Sequence, residues 1–185
     1  MIRDTSPVAD ALKHRRSHSS VGDDAPTKRE LLPLIEAAGS VADHGSLRPW
    51  RIIALRGKAR LRVGLAIAAA SGLEGSSAEK MAAKQLRAPL LLAVVMSPQP
   101  SYKVPEWEQE ATASGVAHAL SLVLDEAGWG VMWRTGLQTR ADAVAQAHEL
   151  KPGERLLGWL YVGDKPAHKS GRRAPIKAKD YLTTL

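Results

Sequence analysis

Three short polar segments of this 185-residue chain contain side chains that could hold an anionic ligand. The first is Arg15, Arg16 and Ser17, within "LKHRRSHSS". The second is "DHGSLRPW", from Asp43 to Trp50, and the third is "WRTG", from Trp133 to Gly136. Arginine offers a planar fork of donors that matches phosphate oxygens. Together the segments suit a ligand with a phosphate at one end and a flat, polar-edged ring at the other.

The first segment also raises a question of burial. Val8, Ala11 and Leu12 follow helical spacing, and the next position in that series is Arg15. The pattern therefore predicts that the Arg15 guanidinium follows a buried helix face inward, where an unpaired charge is costly. Its partner is either a ligand or a buried acid. The other two segments also have interpretations without a ligand. "DHGSLRP" is then only a polar turn, and Arg134 is a surface residue of an alternating strand.

Several common chemistries are excluded by what the sequence lacks. There is no cysteine, so disulfides, thiolate nucleophiles and cysteine-type zinc sites are ruled out. No dinucleotide-binding G-x-G-x-x-G, Walker A loop, H-E-x-x-H or G-x-S-x-G pattern is present. His14 and His18 are four residues apart, but the predicted helix ends between them and two histidines make a poor zinc site. We predict no metal and no protein nucleophile.

Basic charge is concentrated near the end of the chain. The net charge is +7, and "KPAHKSGRRAPIKAK", residues 165–179, contains six basic residues and no acid. One interpretation of this tail is a solvated segment, and another is an arm that wraps a partner subunit or an anionic ligand. A DNA-binding element is the least favoured interpretation, because no recognition motif accompanies the tail. The N-terminus has no apolar signal segment, and no apolar run approaches ~20 residues. We expect a cytoplasmic protein without a membrane span.

The order of predicted elements indicates a single domain with a mixed α and β pattern. Thr27 and Glu30 form a predicted capping box that opens a helix, Pro33 should kink that helix or delay its start, and Gly39 should end it. The other predicted helices cover about 7–16, 58–71, 77–87, 106–127 and 141–148, and the predicted strands are "WRIIALRG", "APLLLAVVMS", "GVMWRTG" and "LLGWLYVG".

The predicted helix near 106–127 is unusual because residues 111–124 include no charged side chain. A helix that is apolar all round is buried all round, and many of its residues are small enough to let another backbone approach. One interpretation is a central core helix of a monomer. The other, which we favour, is that part of this surface packs on a second copy of the chain.

These motifs, in their order and spacing, resemble the FMN-dependent nitroreductase family. "RRS" resembles the family's flavin-phosphate motif, "ADHGSLRPWRII" its P-S-x-x-N-x-Q-P-W-x-F/I segment, "GWGVMWRTG" its G-x-G-x-x-W-x-T/S-G strand and "LLGWLYVG" its closing G-x-x-x-x-G strand. The likeness runs from about Ala9 to Gly163. It is nearest to the short, single-domain NAD(P)H nitroreductase branch, which shares the "DH-x-S-x-x-PW" and "KVP-x-WEQE" wording.

The resemblance implies an α+β, nitroreductase-like fold: a central mixed or antiparallel sheet flanked by helices, in a homodimer with FMN at the subunit interface. Residues 1–164 would form the FMN-binding domain and residues 165–185 the basic tail. The resemblance implies that the phosphate and ribityl chain of FMN are bound by Arg15, Arg16 and Ser17. It implies that His44 and Ser46 lie near the flavin, from either subunit. Beside the isoalloxazine or its chain it places Trp133, Arg134 and Thr135.

The chain departs from the family pattern at several of these positions. Ser46 stands where the family has asparagine, and Arg48 where it has glutamine. Ser19 and Ser20 stand where a further arginine is common, a charge that Arg172 or Arg173 of the tail could replace. These departures bear on flavin affinity and on the choice of electron donor.

The activity implied by the resemblance has two stages. NADH or NADPH passes a hydride to flavin N5 and leaves, and a nitroaromatic, quinone or similar acceptor then takes the electrons. The flavin carries this chemistry, so no catalytic side chain is assigned. Two alternatives stay open: a protein that binds or sequesters flavin without turnover, and a basic nucleic-acid-binding domain.

Overall fold

A four-stranded antiparallel sheet with helices on both faces forms the centre of the molecule. The computed structural model describes residues 6–167 and 174–185. The described strands are β1 (Trp50–Leu55), β2 (Leu90–Met96), β3 (Trp129–Arg134) and β4 (Arg155–Asp164), in the order β1-β2-β4-β3. The described α-helices are α1 (Pro7–His14), α2 (Lys28–Ala38), α3 (Lys58–Ala70), α4 (Gly75–Ala83), α5 (Glu106–Glu126) and α6 (Asp142–Ala147). The predicted α+β class is confirmed.

Strand β2 is buried along its whole length because both faces of the sheet are covered. Successive side chains of a strand point to opposite faces. Leu92 and Val94 accordingly join the core beneath α2 and α5, while Leu91 and Ala93 join the core beneath α3 and α6. The continuous apolar run read from the sequence is therefore a central strand.

Helix α2 begins with the predicted capping box. The Glu30 N–H donates to Thr27 Oγ1 at 3.3 Å, and the Thr27 N–H donates to the Glu30 carboxylate at 2.7 Å. Pro33 does not delay the helix, which starts at Lys28 and ends at the predicted Gly39 cap. Pro33 is exposed, so water can reach the carbonyl that loses its helical partner.

Helix α1 corrects the prediction for Arg15. The helix ends at His14, and Arg15 is extended, with φ −52° and ψ 133°. Val8 and Leu12 are 64% and 51% exposed, so the face they share is open to solvent in the single chain. Arg15 is half-buried beyond the helix end. The prediction that it continues a buried helix face was wrong, because the helix stops first and no element of the described chain buries that face.

Helix α5 packs on the sheet and against α2 but is not covered all round. Val116, Leu120 and Leu124 are fully buried against the sheet, whereas Ala111 and His118, on the opposite side, are exposed. The interpretation of a core helix buried all round within one chain is therefore wrong. An uncharged helix face remains open.

An ion pair between half-buried Arg51 and the buried carboxylate of Glu154 ties β1 to the start of β4. Arg51 donates from Nε and Nη2 to the two carboxylate oxygens of Glu154 at 2.7 and 2.6 Å. The Ser97 hydroxyl and the Lys151 N–H also donate to this carboxylate, at 3.0 and 2.8 Å. Hydrogen bonding, above all from Arg51, lowers the pKa of Glu154 to about 2.

The described part of the tail, residues 174–185, is exposed throughout. Ala174, Pro175 and Ile176 face Leu12, Lys13 and Arg16 across a groove of about 500 Å³. Arg172 and Arg173, which the sequence reading suggested as extra cations, lie outside the described residues. Among the helices that the structure does describe, none is both long and apolar enough to cross a membrane.

Candidate functional site

The chain just after the first polar segment runs beside β3, the strand that leads into the third segment. The backbone N–H of His18 donates to the Val131 carbonyl at 2.9 Å, and the N–H of Gly22 donates to the Asp164 carbonyl at 3.0 Å. These bonds fasten the chain that follows Ser17 along β3. The "RRS" segment therefore adjoins the strand that ends in "WRT".

Gly158 lets the end of β3 lie close against β4. Its φ is +135°, and a Cβ there would stand 2.7 Å from Trp133 Nε1 and closer still to the Arg134 carbonyl. The register between β2 and β4 shifts at Val94–Val95, which leaves Leu157 as an extra residue beside Gly158. This first glycine of the G-x-x-x-x-G pattern is thus needed for the shape of the site.

Gly163, the second glycine of that pattern, serves the other segment. A Cβ at Gly163 would stand 2.5 Å from the Gly22 carbonyl and 2.7 Å from Val21 Cγ2. Only a residue without a side chain lets the chain after Ser17 pass so close to β4. The two glycines of "GWLYVG" therefore position the end of β3 and the chain that follows the first polar segment.

A cleft of about 300 Å³ opens beside the end of β3. It is lined by the three predicted residues Trp133, Arg134 and Thr135 and by residues that the sequence reading missed. The missed residues are Ile67, Lys84, Gln85, Arg87, Met132, Gln138 and Tyr161. Three of the lining side chains are cations and none is a carboxylate. In the sequence, the polar segment "KQLR" just before β2 contains three of these missed residues. Only the tertiary fold places this segment beside the end of β3.

Two buried donors at this cleft have no partner within residues 6–167 and 174–185. They are the Nε of Arg134 and the Nε1 of Trp133. The Arg134 guanidinium lies 5.2 Å from the centre of the Tyr161 ring, and the Trp133 ring meets the edge of His118 at 4.9 Å. Buried donors in folded proteins nearly always have acceptors. Trp133 packs toward α5, whereas Arg134 lies over Tyr161 on the other face of the sheet, so the two donors do not converge. The Nε of Arg134, unpaired within the described residues, is the donor that indicates a place for a ligand acceptor at this cleft.

Tyr161 closes the floor of the cleft as a neutral phenol. Its hydroxyl donates to the side-chain oxygen of buried Gln85. Burial raises the pKa of Tyr161, although the nearby Arg134 opposes this. The floor therefore carries no negative charge that would neutralise the cations above it.

The arginines of the first segment also lack acidic partners. Nη1 of Arg16 donates to the carbonyls of Lys13 and Arg15. Neither Arg15 nor Arg16 forms an ion pair with any residue that the structure describes. Both are half-buried, and Ser17 beside them is exposed. These side chains are free to meet an anion.

A buried polar cluster stands behind this segment. His18 Nε2 lies 3.7 Å from Asp125 Oδ1, and Lys165 Nζ lies 3.0 Å from the same oxygen. Burial lowers the pKa of His18, an effect that Asp125 partly opposes. The sequence reading treated His18 only as a weak metal candidate. Its position indicates that it helps to fix the residues after Ser17 against α5.

The second polar segment lies elsewhere. His44 and Ser46 are exposed, in a 3₁₀ turn (His44–Ser46) that leads into β1. The Asp43 carboxylate accepts the Arg48 N–H at 2.7 Å, and His44 Nδ1 lies 2.8 Å from Glu108 Oε1. Because β1 and β3 are opposite edge strands, three strand spacings separate them, about 14 Å. Within one chain, the first segment leads into residues that run beside β3. No described contact brings the second segment, with His44 and Ser46, to that strand.

Across the described ranges 6–167 and 174–185, no group of three or more histidine, aspartate or glutamate side chains is arranged to hold a metal ion.

Comparison with known proteins identifies the family. A model of the nitroreductase family matches residues 12–164, so the chain belongs to the nitroreductase family, whose members are oxidoreductases. The predicted family and the predicted enzyme class are confirmed.

Individual relatives agree with this assignment. The Escherichia coli (strain K12) protein named "Putative NAD(P)H nitroreductase YdjA" is 32% identical over 155 residues, which covers 82% of this chain and 85% of that protein. A nitroreductase-like family protein from Bacillus cereus superimposes with a TM-score of 0.79 at 21% identity, covering 100% and 99% of the two chains. The FMN- and NADPH-dependent nitroreductase NfnB from Sphigopyxis sp. strain HMH gives 0.69 at 16%, covering 97% and 99%. The two structures show that the fold is shared.

Proposed function

We propose that this protein is an FMN-dependent NAD(P)H oxidoreductase that reduces nitroaromatic, quinone or similar acceptors. The observation that carries the proposal is the cleft at the end of β3, where the described residues gather Lys84, Arg87 and Arg134 without a carboxylate and leave the Nε of Arg134 unpaired. Arg16, also without an acidic partner in the described chain, borders a separate groove beside the chain that leads to β3. FMN has a phosphate dianion and a ring edged with acceptor atoms. The side chains present fit both parts of it.

In this proposal each segment at β3 has its own task. Arg15, Arg16 and Ser17 would bind the phosphate and ribityl end, because charged donors to phosphate give strong hydrogen bonds. Trp133, Arg134 and Thr135 would lie beside the ring or its chain. A cation there favours the negative charge of the reduced ring.

A bound flavin would supply the chemistry of hydride transfer, with NADH or NADPH as donor and the acceptor reduced in a second half-reaction. The protein would bind, orient and shield the ring. Tyr161 stays neutral at physiological pH because burial raises its pKa, so it would hold Gln85 in place rather than exchange a proton.

A homodimer would complete the site. His44 and Ser46 are too far along the sheet to join the β3 residues of their own chain, so we propose that they reach the flavin of a second copy. The uncharged face of α5 that contains Ala111 and His118 would lie in that interface. The tail would wrap the partner subunit, since Ile176, Tyr181, Leu182 and Leu185 are all exposed. A cytoplasmic location accompanies this proposal.

The direct test is an optical one. The purified protein is expected to show a flavin spectrum, or to gain one when FMN is added, and to bleach when NADH or NADPH is supplied without oxygen. A later addition of a nitroaromatic should restore the colour. Protein that retains no flavin after incubation with FMN and gel filtration would overturn the proposal. Yellow protein that bleaches no faster with nicotinamide than without it would instead support flavin sequestration without turnover.

A further inference from the structure

We propose that the cleft at the end of β3 selects electron acceptors that carry a negative charge, such as an aromatic ring with a carboxylate. The inference rests on the proposed function and adds the charge class of the acceptor. Its basis is the group of cations Lys84, Arg87 and Arg134, which line one cleft without any acidic side chain.

The arginines elsewhere in the described chain are mostly neutralised or occupied. Carboxylates pair with Arg51, Arg62, Arg140 and Arg155. Main-chain carbonyls accept from Arg56 and Arg60. Against that pattern, three cations gathered around one cleft with no counter-charge repel one another. An anion placed between them removes that repulsion.

Arg134 is the most constrained of the three. Its guanidinium lies over the Tyr161 ring, and its Nε is buried without an acceptor in the parts of the chain that the structure describes. Because the proposed function places Arg134 beside the flavin, its charge adds to the positive potential of the cleft, and direct contact with the anion of an acceptor falls to Lys84 and Arg87. Lys84 and Arg87 are exposed at the rim, where they can adjust to the ligand.

The shape of the cleft fits a single substituted ring. Its volume of about 300 Å³ lies at the small end of the range for ligand sites. Ile67 and Met132 offer apolar wall, while Gln138 offers an amide. A flat ring could lie on the apolar wall with its anionic group toward Lys84 and Arg87. Because Trp133 to Thr135 also border the proposed flavin position, such a ring would lie next to the flavin.

The test compares two probes of equal size, 4-nitrobenzoate and neutral 4-nitrobenzamide. Their binding is followed by quenching of tryptophan fluorescence and by equilibrium dialysis, with the protein both flavin-free and flavin-loaded. We expect 4-nitrobenzoate to bind at least tenfold more tightly at low ionic strength, with the difference shrinking as salt is added. Equal binding of the two probes would overturn the inference.

Variants localise the effect. Arg87→Gln and Lys84→Gln are expected to reduce the charge preference by roughly three- to tenfold each, and Arg62→Gln, which alters an arginine outside the cleft, should leave it unchanged. Circular dichroism and the melting temperature check that each variant folds. A preference that survives both cleft variants would overturn the inference. So would a cleft variant that shifts the flavin midpoint potential and leaves the preference intact, because the cations would then serve the flavin.

The inference and the proposed function fail in different ways. Protein that binds FMN and is reduced by nicotinamide but shows no charge preference overturns the inference alone. Protein that never binds flavin, yet favours 4-nitrobenzoate through Arg87, overturns the proposed function and supports the anion selectivity of the cleft.

Discussion

Arginines at the two edges of this sheet differ in whether a carboxylate neutralises them. Near β1, Arg51 meets both oxygens of Glu154, and Ser97 and Lys151 complete the bonding of that carboxylate. Near β3, Arg134 shares a cleft with two further cations and no acid. The first arrangement is satisfied within the chain and ties strands together. The second leaves charge and donors unmet, as a binding site requires.

The largest effect should come from breaking the satisfied pair. Glu154→Gln leaves the partly exposed Arg51 without a counter-charge, and loss of its charged hydrogen bonds should cost about 1.5–3 kcal/mol. Urea unfolding should show the loss, while flavin binding by the folded fraction stays unchanged. Glu149→Gln is the control, because its pair with Arg62 is exposed and should cost less than about 1 kcal/mol. Equal losses in the two variants would remove the distinction between these pairs.

Gly158→Ala should come next and should damage both stability and the site. The added Cβ would collide with Trp133 and with the Arg134 carbonyl, so we expect a loss of about 1–3 kcal/mol from overpacking together with weaker flavin binding. Gly128→Ala is the control that separates backbone strain from steric collision. The φ of Gly128 is also positive, at +90°, but no atom lies within 4 Å of the position of an added Cβ. If both variants lose flavin equally, the close approach at Gly158 is not what shapes the site.

Acid should weaken the protein in two steps. Burial lowers the pKa of His18 and of His148, so the unfolded chain binds protons first and stability falls as the pH drops below about 6.5. The slope can reach about 1.4 kcal/mol per pH unit for each histidine. A second loss follows between about 4.5 and 2, where Glu154 is protonated in the unfolded chain before the folded one.

His148 allows the first step to be assigned. Its Nδ1 lies 2.7 Å from the Val144 carbonyl, and its Nε2 accepts the Trp159 indole N–H at 2.8 Å. The ring is therefore the neutral tautomer with hydrogen on Nδ1. Urea unfolding between pH 7.5 and 5.5 should show a smaller slope in His148→Gln than in the parent. An unchanged slope would mean that His148 does not titrate on unfolding.

The sequence was most informative where structure is set locally. The capping box at Thr27, the long helix from Glu106 and the buried run of β2 depend on neighbouring residues and were predicted close to their observed limits. Arg15 was misjudged because the burial of a helix face depends on what packs against it, and the described chain leaves the face of α1 open.

The cleft could be predicted only in part, for a related reason. Trp133 to Thr135 are recognisable as a motif, but Lys84 and Arg87 face them only because β4 lies between β2 and β3 in the sheet. No local pattern encodes that strand order. The separation of His44 and Ser46 from the β3 edge follows from the same order. The sequence alone predicted a set of candidate residues, but not which of them lie together in the fold.

One comparison of dissociation constants tests most directly whether Arg15 and Arg16, which lack acidic partners in the described chain, bind the flavin phosphate. Binding of FMN and of riboflavin, which lacks the phosphate, should be measured for the parent protein, for Arg16→Ala and for the control Arg62→Ala. We predict that the parent and Arg62→Ala favour FMN by at least tenfold. Arg16→Ala should lose most of that preference and keep its fold, because a charged hydrogen bond to phosphate contributes about 1.5–3 kcal/mol. An Arg16→Ala protein that still favours FMN as strongly as the parent would contradict the central claim.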